Sequence, residues 1–333
     1  MRNFWWSGIA ALLAVLLLNS GSLAAPPDGK TLRDQAQQAP GEIKLADGAR
    51  KLGLLPMSDA DLAKSARIVV HLRARGLSNR PPSIILTEYL PPVADQGQQG
   101  SCVGWSSAYY CFSYSVAHNL RLSPELRKQE RWQFSPAFLY HTGNGGKDTG
   151  MSIGTAFKLL TEQGCATMAE MPYVEADTTS PPPGIAKERA KKYRAEKTGC
   201  LATNAEAGSF NAEAAKVYLA TAKNPFVIGV PVFKDFVNAP TTPGYIYVPD
   251  ATLTKDKDFL GWHAITIIGY DDEKHAFRMV NSWGTGWGDQ GFLWLSEDFL
   301  TFCARDGWCQ MPKLPTIRDA AGPIMSYEVP GGN

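Results

Sequence analysis

Residues 95–118 read DQGQQGSCVGWSSAYYCFSYSVAH, and this stretch decides the fold. Apolar residues recur at helical spacing on two faces from Cys102 to His118, and a helix that is apolar on two faces is buried on both. We therefore expect a central helix inside its domain. Cys102 stands at the helix N-terminus, where unpaired N–H groups and the helix dipole stabilise a thiolate. Cys102 is a candidate nucleophile, although a small structural cysteine that begins a core helix fits the same position.

Two further helices follow, and then the hydrophobic period changes from 3.6 towards 2. The helices run from Ser152 to Gln163, with Gly164 as the stop, and from Asn211 to Asn224. Four later segments are rich in β-branched and aromatic residues, which is typical of strands. The predicted strands are Phe226–Val230, Ala264–Tyr270, Ala276–Val280 and Gly291–Leu295. Helices first and strands later predict an α+β protein with two lobes.

The second and third predicted strands form a hairpin through Asp271-Asp272-Glu273, which places His263 opposite Asn281 at one end. A histidine with one ring nitrogen held by a neutral acceptor can use the other for proton transfer. A buried histidine satisfied by an asparagine would give the same pattern without function. Gln96, on the loop before Cys102, can bring a side-chain N–H beside the Cys102 backbone N–H, and together these donors would form an oxyanion hole.

These segments resemble the papain family of cysteine peptidases. The motif QGQQGSC at residues 96–102 is similar to the family's nucleophile segment, and NSWGTGWG at residues 281–288 is similar to its asparagine motif. The order Cys, His, Asn along the chain is also the family's, and the resemblance covers about Pro92 to Leu295. It implies a papain-like two-lobe fold. The helical N-terminal lobe carries the central helix, the C-terminal lobe is an antiparallel β-sheet or barrel, and a cleft lies between them.

By this resemblance the chain is a cysteine endopeptidase that works through a thioester. Cys102 is the nucleophile, and His263 is the base and later the acid. Asn281 orients His263, and Gln96 is the oxyanion donor. Trp283 shields the contact between Asn281 and His263 from water, which strengthens that contact.

The resemblance also points to residues that line a substrate cleft. Gly145-Gly146 is one candidate for the glycines that bind substrate backbone, and Gly150 is the other. Gly229-Val230 resembles one wall of the family's main specificity pocket, and Trp262 adds apolar surface nearby. Because these wall residues carry no charge, we expect an apolar substrate side chain two residues before the scissile bond.

The six cysteines are too few for a disulfide scaffold but enough for one or two bridges and a working thiol. Gln99 stands where the family usually has a half-cystine, so one family disulfide is expected to be absent. The turn at Asp306-Gly307 predicts a bridge between Cys303 and Cys309. Cys165–Cys200 is a second candidate pair, which would leave Cys111 buried and reduced.

Composition excludes several kinds of partner. The 333 residues carry 33 basic and 32 acidic side chains, so no strong field exists to hold a phosphate backbone. Nucleic acid is not expected, and the expected partners are protein or peptide substrates. The five histidines are scattered and no metal-binding spacing occurs, so we expect neither a metal nor another cofactor. The sequence does not set the oligomeric state, and a monomer is the default expectation.

The N-terminus indicates the compartment. Met1 and Arg2 precede an apolar run at residues 9–18 and then small residues, so residues 1–25 are a predicted secretory signal peptide. The apolar run is shorter than the roughly 20 residues that span a bilayer. We therefore expect a secreted or periplasmic protein with no stable membrane span, and an uncleaved N-terminal anchor is the alternative.

The rest of the chain divides into two parts. Residues 26–82 are polar and broken by prolines, and they are either a pro-region or a flexible linker. A helix is predicted there from Ser58 to His71, and in a pro-region the strand after it would lie across Cys102. Residues 83–333 form the predicted catalytic domain, in which the basic stretch Lys187–Lys197 is expected to be a solvated helix.

Three other functions fit parts of the sequence. Residues 100–104 also match the Gly-x-Cys-x-Gly form of a nucleophile elbow, but that turn must follow a buried strand, and residues 93–99 are polar. A papain-like fold can serve as an amidase or transpeptidase through the same thioester, since the acceptor decides the outcome. The same scaffold can also be a secreted protein that only binds, because fold does not fix function.

Overall fold

The structure is a computed structural model that describes residues 41–65, 67–68, 80–201, 203–204, 209–250 and 258–313. The predicted signal peptide and residues 26–40 of the predicted pro-region lie outside these residues and stay predictions. No helix in the described part of the chain is long and apolar enough to cross a membrane.

The helices occur mainly in the first two thirds of the described chain. They are α1 (Asp59–Lys64), α2 (Cys102–Gly104, Trp105–Phe112 and Ser113–Asn119 in succession), α3 (Pro124–Arg127), α4 (Pro136–Gly143), α5 (Ile153–Glu162), α6 (Gly184–Ala190), α7 (Ala212–Ala222), α8 (Lys234–Val237) and α9 (Glu297–Cys303), with a 3₁₀ turn at Glu130–Trp132.

Strands dominate the last third and also begin the described chain. They are β1 (Gly41–Leu45), β2 (Gly48–Leu52), β3 (Arg67–Ile68), β4 (Ser83–Ile85), β5 (Arg194–Leu201), β6 (Thr203–Asn204), β7 (Ser209–Phe210), β8 (Phe226–Phe233), β9 (Ile246–Tyr247), β10 (Phe259–Asp271), β11 (Ala276–Val280), β12 (Phe292–Ser296) and β13 (Gly307–Lys313).

The predicted central helix is confirmed. It begins at Cys102, and every residue from there to Ala117 is buried. Its middle section, Trp105–Phe112, is a π-helix. The Thr266 hydroxyl donates to the Ser106 carbonyl at 3.0 Å, which ties this section to β10. Both apolar faces are buried, so the helix is packed inside the fold as the sequence predicts.

Capping residues set the ends of the other predicted helices. The Ser152 side chain accepts from the Thr155 N–H at the start of α5, and Gly164 ends the segment with a φ of 83°. At the start of α7 the Asn211 side chain accepts from the Ala214 N–H. Both helices therefore lie where the sequence predicts them.

One nine-stranded sheet runs in the order β3-β5-β13-β8-β10-β11-β12-β9, with β4 pairing to β10. Its described pairs are antiparallel except β3 with β5 and β12 with β9. The four strands predicted from the sequence are β8, β10, β11 and β12. The α+β expectation is confirmed, with the helices around α2 on one side of the molecule and the sheet on the other.

Two predictions about local structure are wrong. The helix after Ser58 ends at Lys64, because Ser65 is extended and the chain goes on to pair as β3 with β5. The basic stretch Lys187–Lys197 is helical only at its start, in α6, and its second half belongs to β5, where pairing with β13 satisfies the backbone.

The structure contradicts both expected disulfide bridges, since it contains no disulfide between any of the six cysteines, all of which lie in the described part of the chain. Cys303 ends α9, whereas the Cys309 thiol in β13 points to the Gly199 carbonyl at 3.7 Å. The Cys165 thiol donates to the Ser135 carbonyl at 3.6 Å and is not bonded to Cys200. Each of these sulfur atoms is held inside the packed core, so the turn at residues 306–307 does not bring a pair together.

We expect Gly164→Ala to destabilise the protein by about 3 kcal/mol. Its φ of 83° costs an alanine about 1–2 kcal/mol, and the added methyl would also overlap the Ala190 and Tyr193 carbonyl oxygens. The control is Gly145→Ala, which has a φ of 67° but no atom within 4 Å of the added carbon. Urea unfolding of both variants separates the cost of backbone strain from the cost of steric overlap. If both variants lose the same free energy of unfolding, the overlap adds nothing to the strain.

Candidate active site

The start of α2 and the strand β10 form the two sides of the candidate site. Cys102 is the first residue of the helix and is fully buried. Backbone hydrogen bonds from Ala264 and Gly53 act on its thiol. Ala264 follows His263 in β10, which β8 supports by pairing His263 with Val230. The candidate nucleophile and the candidate base are thus brought together from positions far apart in the chain.

His263 and Asn281 are hydrogen-bonded, with 2.8 Å between His263 Nε2 and Asn281 Oδ1. The Ser282 N–H also donates to this atom at 2.8 Å, so the atom is an oxygen and His263 Nε2 carries the proton. His263 Nδ1 has no hydrogen-bond partner among the described residues. One ring nitrogen is therefore fixed, and the other is available for proton transfer.

The hairpin that joins these residues differs from the predicted register. Thr266 pairs with Val280, and a bulge between Ile267 and Gly269 shifts the ladder further, so His263 is not directly opposite Asn281. The two side chains still meet because diagonal neighbours on one face of a sheet are within reach of each other.

Gln96 is fully buried and is bound to the segment that follows β11. The Ser282 hydroxyl donates to Gln96 Oε1 at 2.7 Å, and the Gln96 N–H donates to the Ser282 carbonyl at 2.9 Å. These contacts leave Gln96 Nε2 to donate to the carbonyls of Lys51 at 2.8 Å and Gln99 at 3.0 Å. Ser282 thus fixes the direction of the Gln96 amide, a role that its place in the NSWGTGWG motif did not reveal.

Trp283 covers the histidine. Its ring lies over the His263 ring with the centroids 4.6 Å apart, and it is fully buried. Phe236 and Trp287 pack edge-on against the other parts of the indole. Water is thereby kept from the contact between His263 and Asn281, as the resemblance implies.

Residues 41–55 fill the space between the two sides. The β1–β2 hairpin packs against the start of β10, and Leu52 and Leu54 are buried. Gly53 lies against Gly100, and Leu54 pairs with Met151 in the parallel sense. The Gly53 and Met151 backbones are joined by a hydrogen bond of 3.0 Å.

This segment shows which predicted substrate residues face the cleft. Gly150 does, since a side chain there would overlap the Gly53 carbonyl. Gly145-Gly146 shows no such overlap, since an added carbon at either glycine would meet no atom within 4 Å. The Gly229-Val230 wall is buried in β8, and the Leu54 side chain comes within 2.7 Å of where a Gly229 side chain would begin. The Trp262 carbonyl accepts from the Leu54 N–H at 3.4 Å.

Burial keeps both reactive groups neutral in this form. Burial raises the pKa of the Cys102 thiol from 9.0 to about 11, although backbone hydrogen bonds from Ala264 and Gly53 oppose the shift. Burial also lowers the pKa of His263 from 6.5 to about 4, against the opposing effect of its hydrogen bond to Asn281. At neutral pH the site therefore holds a thiol and a neutral imidazole while residues 51–55 cover it.

No group of three or more His, Cys, Asp or Glu side chains that could hold a metal ion occurs in the described ranges. The arrangement of a cysteine, a histidine held by an asparagine, and a buried amide donor suits acyl transfer to a thiol.

The sequence matches a known protein family and several known proteins. Residues 85–312 match the family described as papain family cysteine protease. An uncharacterized peptidase C1-like protein of Acanthamoeba polyphaga mimivirus is 24% identical over 255 residues, which are 73% of this chain and 77% of the viral protein. Gamete and mating-type specific protein A of Dictyostelium discoideum is 27% identical over 233 residues, 67% of this chain and 44% of that protein.

Solved structures share the fold. Xylellain, a cysteine protease from Xylella fastidiosa, superposes with a TM-score of 0.61 at 25% identity, over 78% of this chain and 94% of xylellain. The proCathepsin B S9 of Trypanosoma congolense superposes with a TM-score of 0.58 at 21% identity, over 78% of this chain and 86% of its own. The two-lobe architecture expected from the motifs is therefore confirmed.

We expect the Cys102 thiol of the full-length chain to be alkylated slowly below pH 9, with a rate that is still rising at pH 10. Its pKa of about 11 leaves little thiolate below that range. Iodoacetamide labelling against pH, with peptide mapping of the full-length species, measures this. The control is the same peptide in the chain unfolded by urea, where the rate should level off near the ordinary pKa of 9.0. A folded chain that levels off below pH 9 would contradict the covered, neutral site.

Proposed function

The chain belongs to the papain family of cysteine proteases and is a cysteine-type peptidase, and on this premise we propose that it is a secreted endopeptidase that cleaves peptide bonds through a Cys-His-Asn thioester mechanism. The observation that carries the proposal is the convergence of Cys102, the His263–Asn281 pair and Gln96 on one cleft. Secretion is inferred from the signal peptide predicted at residues 1–25.

The first half of the reaction acylates the enzyme. His263 Nδ1 takes the thiol proton, and the Cys102 sulfur attacks the carbonyl carbon of the scissile bond. The negative charge that develops on the carbonyl oxygen is stabilised by Gln96 Nε2 and the Cys102 backbone N–H. The Lys51 carbonyl stands in for that oxygen in the covered form, since Gln96 Nε2 donates to it at 2.8 Å. Protonated His263 then gives its proton to the leaving amine, and a thioester remains.

The second half regenerates the thiol. His263 Nδ1 deprotonates a water, the hydroxide adds to the thioester carbon, and the same donors hold the oxyanion. The carbon–sulfur bond breaks and the proton returns to Cys102. Asn281 keeps the His263 ring aligned in both halves through the 2.8 Å hydrogen bond at Nε2. An extended substrate that adds main-chain hydrogen bonds along the cleft favours cleavage within a chain.

Residues 26–82 are proposed to be a removable inhibitory pro-region. The backbone group that residues 51–55 present to the thiol is the Gly53 N–H, a hydrogen-bond donor that a nucleophile cannot attack. The residues that cover Cys102 lie before α1 in the chain. The sequence analysis instead predicts that a strand after the pro-region helix lies across Cys102. Departure of this segment would expose His263 and Cys102 to water and remove the burial that keeps them neutral, so a thiolate–imidazolium pair can form.

The occupant of the pocket supports an apolar substrate preference. Leu54 fills the space beside Gly229 and hydrogen-bonds to the Trp262 carbonyl. Its neighbour across the cleft is Met151, next to Gly150. We therefore propose that Gly150 and Met151 bind substrate backbone, and that Gly229-Val230 and Trp262 receive an apolar side chain two residues before the scissile bond.

We expect the four proposed catalytic residues to differ in their importance for turnover. Cys102→Ala should abolish hydrolysis, and His263→Ala should do nearly as much, because the thioester and the proton transfers need them. Gln96→Ala should lower kcat by roughly 10²–10³ with little change in KM, since its contact strengthens in the transition state. Asn281→Ala should lower kcat by a smaller factor than Gln96→Ala does. Rate constants on one fluorogenic peptide test this order, and turnover by Cys102→Ala would refute the mechanism.

We expect Gly53→Ala to raise the initial activity of the full-length chain by about tenfold to a hundredfold. An alanine methyl there would overlap the Gly100 carbonyl, and overlap of this kind costs about 1–3 kcal/mol, which loosens residues 51–55 from the cleft.

The matched control for this variant is Gly184→Ala, which adds a methyl where nothing lies within 4 Å and should leave the initial rate unchanged. Initial rates are measured before any shorter species accumulates on a gel. If the Gly53→Ala chain starts no faster than the unaltered chain, residues 51–55 do not inhibit the enzyme.

A further inference from the structure

The Tyr173 hydroxyl contacts both ends of the loop before the nucleophile, and the proposed mechanism does not use it. It donates to the Gln96 carbonyl at 2.6 Å, and its oxygen lies 2.8 Å from Ser101 Oγ. Because a tyrosine hydroxyl has one hydrogen, which goes to the Gln96 carbonyl, Ser101 is the donor in the second bond. One oxygen atom therefore links Gln96 to the residue before Cys102.

The two linked residues carry the proposed oxyanion donors. Gln96 supplies its Nε2, and the peptide group between Ser101 and Cys102 supplies the backbone N–H. Gln96 and Ser101 are both fully buried. Donors stabilise an oxyanion only while they point at the place where its charge develops. The relative position of residues 96 and 101 therefore determines how well this pair of donors works.

Ser282 and Tyr173 hold different groups of Gln96. Ser282 donates to the side-chain oxygen Oε1 and accepts from the backbone N–H, whereas Tyr173 donates to the backbone carbonyl. The Ser282 contacts set the direction of the amide. The Tyr173 contact sets the distance between Gln96 and Ser101, which Ser282 does not touch.

The surroundings of Tyr173 keep its hydroxyl in place as a donor. Its ring stands edge-on to the Trp105 ring, with the centroids 4.8 Å apart. Burial raises the pKa of the Tyr173 hydroxyl above its ordinary value of 10.0, against the opposing effect of the hydrogen bond with Ser101. The hydroxyl is therefore protonated at neutral pH and can donate to the Gln96 carbonyl.

The residues after Tyr173 hold the middle of the same loop. Glu175 Oε1 accepts from the Gln98 N–H at 2.7 Å, and the Asp177 carbonyl accepts from Gln99 Nε2 at 2.7 Å. Residues 173–177 thus contact the loop at four of its residues from 96 to 101, and the Tyr173 hydroxyl is the group that joins its two ends.

We propose that Tyr173 is a positioning residue that aligns the two oxyanion donors, Gln96 Nε2 and the Cys102 N–H. This inference rests on the proposed function, since it concerns the same site. Without the hydroxyl, the buried Gln96 carbonyl and Ser101 hydroxyl would lose a partner, and the loop would shift to satisfy them. The transition state would lose stabilisation, whereas substrate binding along the rest of the cleft would not.

The test is Tyr173→Phe, which removes only the hydroxyl. The enzyme is expressed as the full chain and assayed on one fluorogenic peptide in the active form that it yields. We expect kcat to fall by about tenfold to a hundredfold with little change in KM, since a small misplacement of catalytic groups has an effect of this size.

Tyr109→Phe is the matched control. The Tyr109 hydroxyl donates to the Pro92 carbonyl at 3.0 Å, and its ring also stands edge-on to Trp105 at 4.8 Å. This variant removes the same kind of hydrogen bond outside residues 96–102, so its kcat should equal that of the unaltered enzyme. An equal fall in kcat in both variants would show a general effect on packing and would overturn the role of Tyr173.

A second measurement separates the oxyanion donors from the nucleophile. Addition of Cys102 to a peptide aldehyde forms a carbon–sulfur bond, and the former carbonyl oxygen takes the place of the oxyanion. Alkylation by iodoacetamide displaces iodide from a saturated carbon and forms no oxyanion. Tyr173→Phe should therefore weaken inhibition by the aldehyde by about the same factor as kcat, and the alkylation rate of the active form should not change.

The outcomes separate the two proposals. If the unaltered enzyme cleaves the peptide and Tyr173→Phe keeps its kcat, or loses alkylation rate as much as aldehyde affinity, the role of Tyr173 is wrong and the peptidase proposal stands. If Tyr173→Phe does not fold, Ser101→Ala removes the second bond to the same hydroxyl and should show the same split between aldehyde affinity and alkylation. An unaltered enzyme that cleaves no peptide overturns both the endopeptidase proposal and this inference.

Discussion

The candidate site depends on one chain of hydrogen bonds that joins two distant parts of the sequence. Gln96 is held by Ser282, Ser282 donates its N–H to Asn281, and Asn281 accepts from His263. All four residues are buried, so breaking any link would leave a polar group without a partner and without water. The loop before the nucleophile and the strand that carries the base are thereby fixed relative to each other.

The aromatic residues around this chain explain why it can exist in the interior. Trp283 lies on the His263 ring, and Phe236 and Trp287 close the space around the indole. The Trp287 Nε1–H donates to the Val237 carbonyl at 3.1 Å, so α8 is part of the same support. The low dielectric that these rings create strengthens each hydrogen bond, and it also disfavours charge on His263.

Residues 41–55 add a second constraint, because they fill the cleft that the proposed mechanism assigns to the substrate. Their packing is backbone on backbone at Gly53, apolar at Leu54 and ionic at Lys51. Each contact uses a different feature of the cleft: the nucleophile loop, the wall at Gly229, and the carboxylate of Asp148. The covering segment therefore fills the cleft, and the substrate-binding residues proposed above are the cleft residues that it contacts.

Local order along the chain was enough to predict the main elements and the catalytic candidates. The period of apolar residues defined α2, α5, α7 and the main strands, and two short motifs with a histidine between them pointed to Cys102, His263, Asn281 and Gln96. Contacts between distant residues decided the rest. They brought Ser282 to Gln96, placed Gly150 against Gly53, and left no disulfide between the described cysteines. Only the folded chain shows Lys51 beside Asp148, since no local pattern links residues 97 positions apart.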